Sequence, residues 1–139
     1  MSDLQCPVTL LVARHGDATY PVPGVLTDDG GRLTEKGTAQ ATALAEQVQP
    51  RRVAAVFTST MNRAVQTGTI MAEQLGAPLR VLEGLQEFSV GALAGVPYRD
   101  PRPQRVFEAW VDGDLSVGCP GAETGLDVVR RYEEALAGI

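Results

Sequence analysis

The stretch Val8-Thr9-Leu10-Leu11-Val12-Ala13-Arg14-His15-Gly16 decides how the rest of the chain is read. Its first six positions form a continuous β-prone apolar run, the pattern of a strand buried on both faces of a parallel sheet, and the run ends abruptly at two basic residues and a glycine. In open α/β sheets, ligands are met just beyond the carboxyl ends of the strands, where a rigid backbone presents polar side chains at one edge. Arginine in that position offers a planar fork of donors for phosphate oxygens. Histidine offers a neutral ring nitrogen able to attack phosphorus, and glycine lets backbone approach a ligand closely. The same triplet also fits a basic strand end with a structural histidine, so the remainder of the chain has to decide.

Working outward, residues 17–32 are a loop rich in Pro, Gly and Asp, and Thr34 then stands as the N-cap of a helix whose apolar stripe is Ala41, Leu44, Ala45 and Val48. Pro50 closes that helix. Residues 53–57 read as a second strand. The cluster Thr58-Ser59-Thr60 can cap a helix with Met61, Ala64, Val65, Gly68, Met71, Ala72 and Leu75 on one face, ended by Gly76 and Pro78. Residues 79–82 form a short third strand, and 83–105 is a Gly/Pro-rich stretch too long to be a mere connector. A helix around 104–111, a further Gly/Asp/Pro loop and a last helix over about 124–137 complete the chain, the last with Val129, Tyr132 and Leu136 on its apolar face. Strands alternating with helices predict a layered α/β/α fold with a mainly parallel sheet and right-handed crossovers.

Composition sets the outer limits. At 139 residues, with 44% hydrophobic and 21% charged, the chain has the length and balance of one globular domain. A net charge of -5 with a pI near 4.8 argues against broad electrostatic capture of nucleic acid or of an anionic membrane, so any anionic ligand must be drawn by a local cationic pocket. The apolar run at residues 8–13 is too short to span a bilayer, and no basic residue precedes it as a secretory leader would require. Cys6 and Cys119 have no metal-type spacing and read as incidental thiols of a reducing compartment, which makes the cytoplasm the expected location.

Two further residues have chemical promise. Arg63 stands near the start of the second helix, where free amides and the helix dipole already attract anions; an arginine there disfavours the dipole and calls for a compensating anion. It also fits a solvent-exposed arginine on a polar face. Glu87 lies in Leu85-Gln86-Glu87-Phe88-Ser89-Val90-Gly91, at the head of the glycine-punctuated loop after the third strand. Beside apolar Leu85 and Phe88 it suits a general acid that protonates a departing alkoxide, although a cap or a surface charge is the other reading.

Taken in order, the strand ending in Arg14-His15-Gly16, the helix start Leu33-Thr34-Glu35-Lys36-Gly37, the segment from Ser59 to Thr67 with its arginine, the Leu-x-Glu-x-x-x-Gly-x-x-x-Gly loop, and Pro120-Gly121-Ala122-Glu123-Thr124 leading into a helix with Arg131 resemble the histidine phosphatase (phosphoglycerate mutase-like) superfamily. The resemblance implies that His15 is the nucleophile that becomes phosphorylated, that Arg14 and Arg63 hold the phosphoryl oxygens, and that Glu87 donates and accepts the proton. It implies no metal or other cofactor, since the arginines neutralise the charge of the transferred group. The implied partner is a small phosphomonoester or phosphate, with no nucleic acid and no membrane, and a homo-oligomer is left open. The loop Asp17-Ala18-Thr19-Tyr20-Pro21 lacks the Ser-x-Trp-Asn pattern of mutases, and residues 98–105 are short and proline-broken where mutases place substrate-gripping basic residues. A phosphatase is therefore expected ahead of a phosphotransferase of the mutase type, with Arg99, Arg102 and Arg105 read as a solvated basic loop ahead of a contribution to specificity. Family members also carry a second histidine in an interior strand that follows the helix corresponding to 124–137. His15 is the only histidine here, so the chain is expected to be a single, C-terminally incomplete domain 1–139 whose catalysis is slowed, or which survives as a phosphoester-binding module.

Overall fold

The computed structural model describes residues 8–139. In chain order the elements are β1 (Ala18–Thr19), β2 (Arg32–Leu33), α1 (Glu35–Val48), β3 (Val56–Thr58), α2 (Asn62–Leu75), β4 (Leu79–Val81), α3 (Pro101–Val111) and α4 (Gly125–Ala137). β1 and β2 pair antiparallel, which closes the Pro/Gly-rich loop into a small hairpin that the sequence did not announce. β3 and β4 pair parallel, with Val56 opposite Leu79 and Thr58 opposite Val81, joined by the α2 crossover. The fold is mixed α/β, as expected, with a smaller sheet than the sequence pattern predicts.

The difference lies in the opening run. Residues 8–13 form no strand, and their side chains face solvent, with Val8 86%, Leu10 51% and Val12 87% exposed. β-propensity describes how a side chain suits a pleated, half-buried surface, and it makes a strand only where a neighbour supplies the ladder. Among the described residues no strand pairs with this run, so the propensity has no ladder to act through. Cys6 lies outside the described residues. Cys119 is a buried free thiol whose pKa is pushed up by burial and, secondarily, by the charge of Asp28.

The helices follow their sequence signals closely. Thr34 caps α1, its hydroxyl accepting from the Gly37 amide at 3.0 Å, and Ala41 and Ala45 are the buried stripe. α2 ends on Gly76 in the left-handed region, φ 63°. Thr124 caps α4 in a reciprocal box with Asp127, and Asp100 caps α3 ahead of Pro101, three residues before the expected start. Arg102 forms a two-pronged pair with that same Asp100 at 2.9 and 3.0 Å and holds its carboxyl down at about 2; Arg99, Arg102 and Arg105 are all exposed, but the last two stand on α3 and not in a loop.

The hydrophobic core under the long loop consists of Leu26, Val90, Leu93, Val106 and Cys119, with Phe88, Val96, Trp110 and Ala122 packed against it. Phe88 meets Phe107 and Trp110 edge-on at 5.4 and 5.2 Å between ring centroids. Residues 24–28 are strapped to 88–98 by backbone bonds such as Leu26 N to Val96 O (2.8 Å) and by Asp28, which accepts from the Val90 amide and the Ser89 hydroxyl. The stretch after β4 is therefore ordered, and it delivers Glu87 to a fixed place.

Candidate active site

His15 sits at the junction of this framework because its neighbour Gly16 is pressed against α1. A Cβ on Gly16 would lie 2.4 Å from the Gly37 carbonyl oxygen, so only glycine permits the approach. The Gly16 amide donates to Thr67 Oγ1 at 3.1 Å, and the Thr67 hydroxyl in turn donates to the Arg63 carbonyl at 2.8 Å. One buried threonine thus ties the His15 segment to the first turns of α2.

The ring of His15 is oriented at both nitrogens. Nδ1 lies 2.7 Å from the Gly16 carbonyl oxygen, and Nε2 lies 2.9 Å from Arg63 Nε. A carbonyl can only accept and a guanidinium can only donate, so the proton belongs on Nδ1 and the lone pair on Nε2. That arrangement leaves Nε2 unprotonated, with its lone pair on the Arg63 N–H.

Arg63 is 4% exposed, and a buried cation needs partners on every side. Besides His15 it donates to the Asp29 carbonyl (3.3 Å) and to Glu87 Oε2 (2.6 Å), and Tyr20 lies with its ring 5.6 Å from the guanidinium carbon. The anion that an arginine near a helix start demands is Glu87. The cap expected from Thr58-Ser59-Thr60 is replaced in part: Ser59 Oγ accepts from the Met61 amide, while the Arg63 amide is taken by the Gly30 carbonyl at 3.0 Å and Asn62 Nδ2 donates to the Gly31 carbonyl. The loop at 29–31 does the work of an N-cap, so anion binding here falls to the Arg63 side chain.

Phe88 turns into the aromatic cluster and Glu87, its neighbour, turns outward, with a side chain 61% exposed. The apolar shielding anticipated for its carboxyl is absent, and its partner is the Arg63 guanidinium. Arg14 is exposed and borders, with His15, Gly16, Gln40, Ala41, Leu44 and Thr67, a cleft of about 260 Å³. Among the described residues it shares no hydrogen bond with His15, Arg63 or Glu87, so the structure joins three of the four expected residues directly and leaves Arg14 at the rim. Tyr20 was not singled out from the sequence. Burial pushes its phenol up; of the surrounding charges Arg63 counts most and lowers it, followed by Glu87 and Tyr98, which raise it, and Arg14, which lowers it. Thr67 and Asp29 were likewise unmarked, and nothing local distinguishes them from ordinary helix and loop residues.

In this α/β protein an imidazole with an unprotonated Nε2, a buried guanidinium on that nitrogen and a carboxylate on the same guanidinium meet at one place. The family profile of the histidine phosphatase superfamily (branch 1) matches residues 10–139, and the chain belongs to that family. It is 26% identical over 130 residues to a probable phosphoglycerate mutase of Yersinia pestis, GpmB, an alignment covering 90% of this chain and 60% of that protein. Among solved structures, a mycobacterial glucosyl-3-phosphoglycerate phosphatase, Rv2419c, is 27% identical with a TM-score of 0.75, covering 89% of this chain and 59% of the other. TTHB049 of Thermus thermophilus is 28% identical with a TM-score of 0.66, covering 91% and 69%. The chain thus spans about three-fifths of the length of the mutase and the mycobacterial phosphatase. No helix among the described residues is long and apolar enough to cross a membrane.

Proposed function

We propose that this chain is a phosphomonoester hydrolase that works without a metal, through a phosphohistidine at His15. The observation that carries the reading is one side chain with two bonds: Arg63 donates to His15 Nε2 at 2.9 Å and to Glu87 Oε2 at 2.6 Å. A phosphoryl group that takes over the Arg63 donors is brought beside the Nε2 lone pair and beside a carboxyl group, so the three parts of the reaction are already within reach of one another.

In the first step the Nε2 lone pair forms the N–P bond as the P–O ester bond breaks, and Glu87 delivers its proton to the departing alkoxide. In the second step the Glu87 carboxylate takes a proton from water, the water oxygen bonds to phosphorus, and the N–P bond breaks, releasing phosphate and restoring the ring. Arg63, with Arg14 at the rim, supplies the positive charge for the equatorial oxygens.

A phosphoester-holding module is the second reading, favoured by the placement of Arg63 Nε directly on the His15 Nε2 lone pair, where it competes with attack on phosphorus. Acid quenching after mixing with a 32P-labelled phosphomonoester separates the two. Label on wild type and none on His15→Ala supports the hydrolase, whereas phosphate binding without label supports the holding module. Passage of label to phosphoglycerate in preference to water would identify a mutase-type phosphotransferase instead.

A further inference from the structure

Glu87 reaches its place from a turn with no regular secondary structure, and its carboxylate has one protein partner, Arg63, on an otherwise solvated side chain. Whatever sets the backbone of that turn therefore sets where the acid stands. Four consecutive carbonyls of the turn are claimed by two neighbouring residues of α4: Gly84 O (2.8 Å), Gln86 O and Glu87 O (3.1 Å) accept from Arg131, and Leu85 O accepts from the Tyr132 hydroxyl (2.7 Å). The turn lies so close to α4 that a Cβ on Gly84, whose φ is +93°, would come 2.9 Å from the Arg131 carbonyl oxygen.

The guanidinium of Arg131 has five N–H donors and all five are used, the remaining two on the carboxylate of Glu123 at 2.8 and 2.7 Å. Glu123 also accepts from the Ser89 amide at 3.2 Å, on the far side of Glu87. α4 is itself anchored, by the Thr124–Asp127 capping box and by the Gly125 amide on the Val117 carbonyl at 3.0 Å. The contacts form a continuous series: helix, guanidinium, carbonyl row, and then a carboxyl side chain bonded to the Arg63 that also holds His15.

We infer that Arg131, held in register by Glu123, is a positioning residue that places the Glu87 carboxyl for proton transfer. The inference rests on the hydrolase reading and adds a residue that touches neither substrate nor nucleophile. A lysine, with three donors on a flexible stem and no planar fork, cannot span the carbonyl row and the carboxylate together.

The test compares two esters in the full chain: an alkyl phosphomonoester, whose alkoxide needs a proton, and 2,4-dinitrophenyl phosphate, whose phenolate leaves without one. Read as the rate of phosphoenzyme formation in a single turnover, the step before water attacks, Glu87→Gln is expected to slow the alkyl ester by roughly 100-fold or more and the activated ester far less. Arg131→Gln is expected to do the same, and the double variant to be no slower than Glu87→Gln alone, because the two residues act as one unit. Arg131→Lys should recover part of the alkyl-ester rate. Equal slowing of both esters by Arg131→Gln, or a double variant slower by the product of the two losses, overturns the inference and makes Arg131 a residue of fold stability alone. If Arg131→Gln does not fold, Arg131→Lys and Glu123→Gln are judged by the same ratio of the two rates. A wild-type chain that hydrolyses neither ester overturns the hydrolase reading and this inference together. A wild-type chain that hydrolyses both, with Glu87→Gln leaving-group dependent and Arg131→Gln not, overturns the inference alone.

Discussion

The tautomer of His15 is the point at which the site can be tested without any turnover. The ring has its Nδ1 2.7 Å from the Gly16 carbonyl and its Nε2 2.9 Å from Arg63 Nε. Moving the proton from Nδ1 to Nε2 would set a lone pair against a carbonyl oxygen and one N–H against another, losing both bonds. A neutral bond contributes about 1 kcal/mol and one from a charged donor about 1.5–3, so the observed tautomer is favoured by roughly 2.5–4 kcal/mol. That corresponds to a population ratio of roughly 70 to 1,000. Arg63→Met removes the larger share and leaves only the Gly16 bond, about 1 kcal/mol, which brings the ratio down to roughly fivefold. The chain has a single histidine, so long-range 1H–15N correlation spectra at mildly alkaline pH report this ring and no other. Wild type should show one protonated Nδ1 and one lone-pair Nε2, and Arg63→Met should show the two nitrogens averaging toward each other. A wild-type spectrum with the proton on Nε2, or one unchanged by Arg63→Met, would refute the reasoning, because the contacts described would then not set the lone pair on Nε2.

Two other outcomes follow from the same contacts. Thr67→Val keeps the shape of the side chain but strands the buried Gly16 amide that Thr67 Oγ1 accepts at 3.1 Å; a loss of about 1–3 kcal/mol in urea unfolding is expected, and a neutral result would mean that the amide finds another partner. Glu123 has its carboxyl held below the usual glutamate range chiefly by the hydrogen bond from Arg131, so it stabilises the fold above that range and loses this contribution as pH falls through its lowered folded value. Glu123→Gln should therefore cost about 1–2 kcal/mol near neutrality, with the gap to wild type closing in acid. Melting curves across pH check this, and a gap that widens toward low pH would contradict the sign.

The helices could be read from the chain because their causes are local. A threonine three residues ahead of a buried glycine caps α1, a reciprocal Thr124–Asp127 pair opens α4, and Gly76 closes α2, each within one turn of its effect. Arg63 and Glu87 could be singled out for a similar reason: a cation at a helix start and an acid at the head of a glycine-rich loop are conspicuous by position alone. Arg131 was visible only as one letter of a motif, since its work is done on carbonyls 44 to 47 residues away.

The sequence by itself determined the α/β alternation, the capped helices and the identities of the imidazole, guanidinium and carboxyl groups, because periodicity, capping and side-chain chemistry are carried by residues near one another along the chain. Tertiary structure alone decided the rest. Residues 8–13 have every propensity for a strand, yet a strand exists only with a partner for its ladder, and none of the described residues provides one. His15 and Arg63 are 48 positions apart, and Arg63 and Glu87 are separated by 24; that they meet at 2.9 and 2.6 Å depends on the α2 crossover, the Gly16 contact and the ordered turn after β4. Long-range convergence of this kind has no local signal, which is why Tyr20, Thr67 and Asp29 became part of the site only once the chain was seen folded.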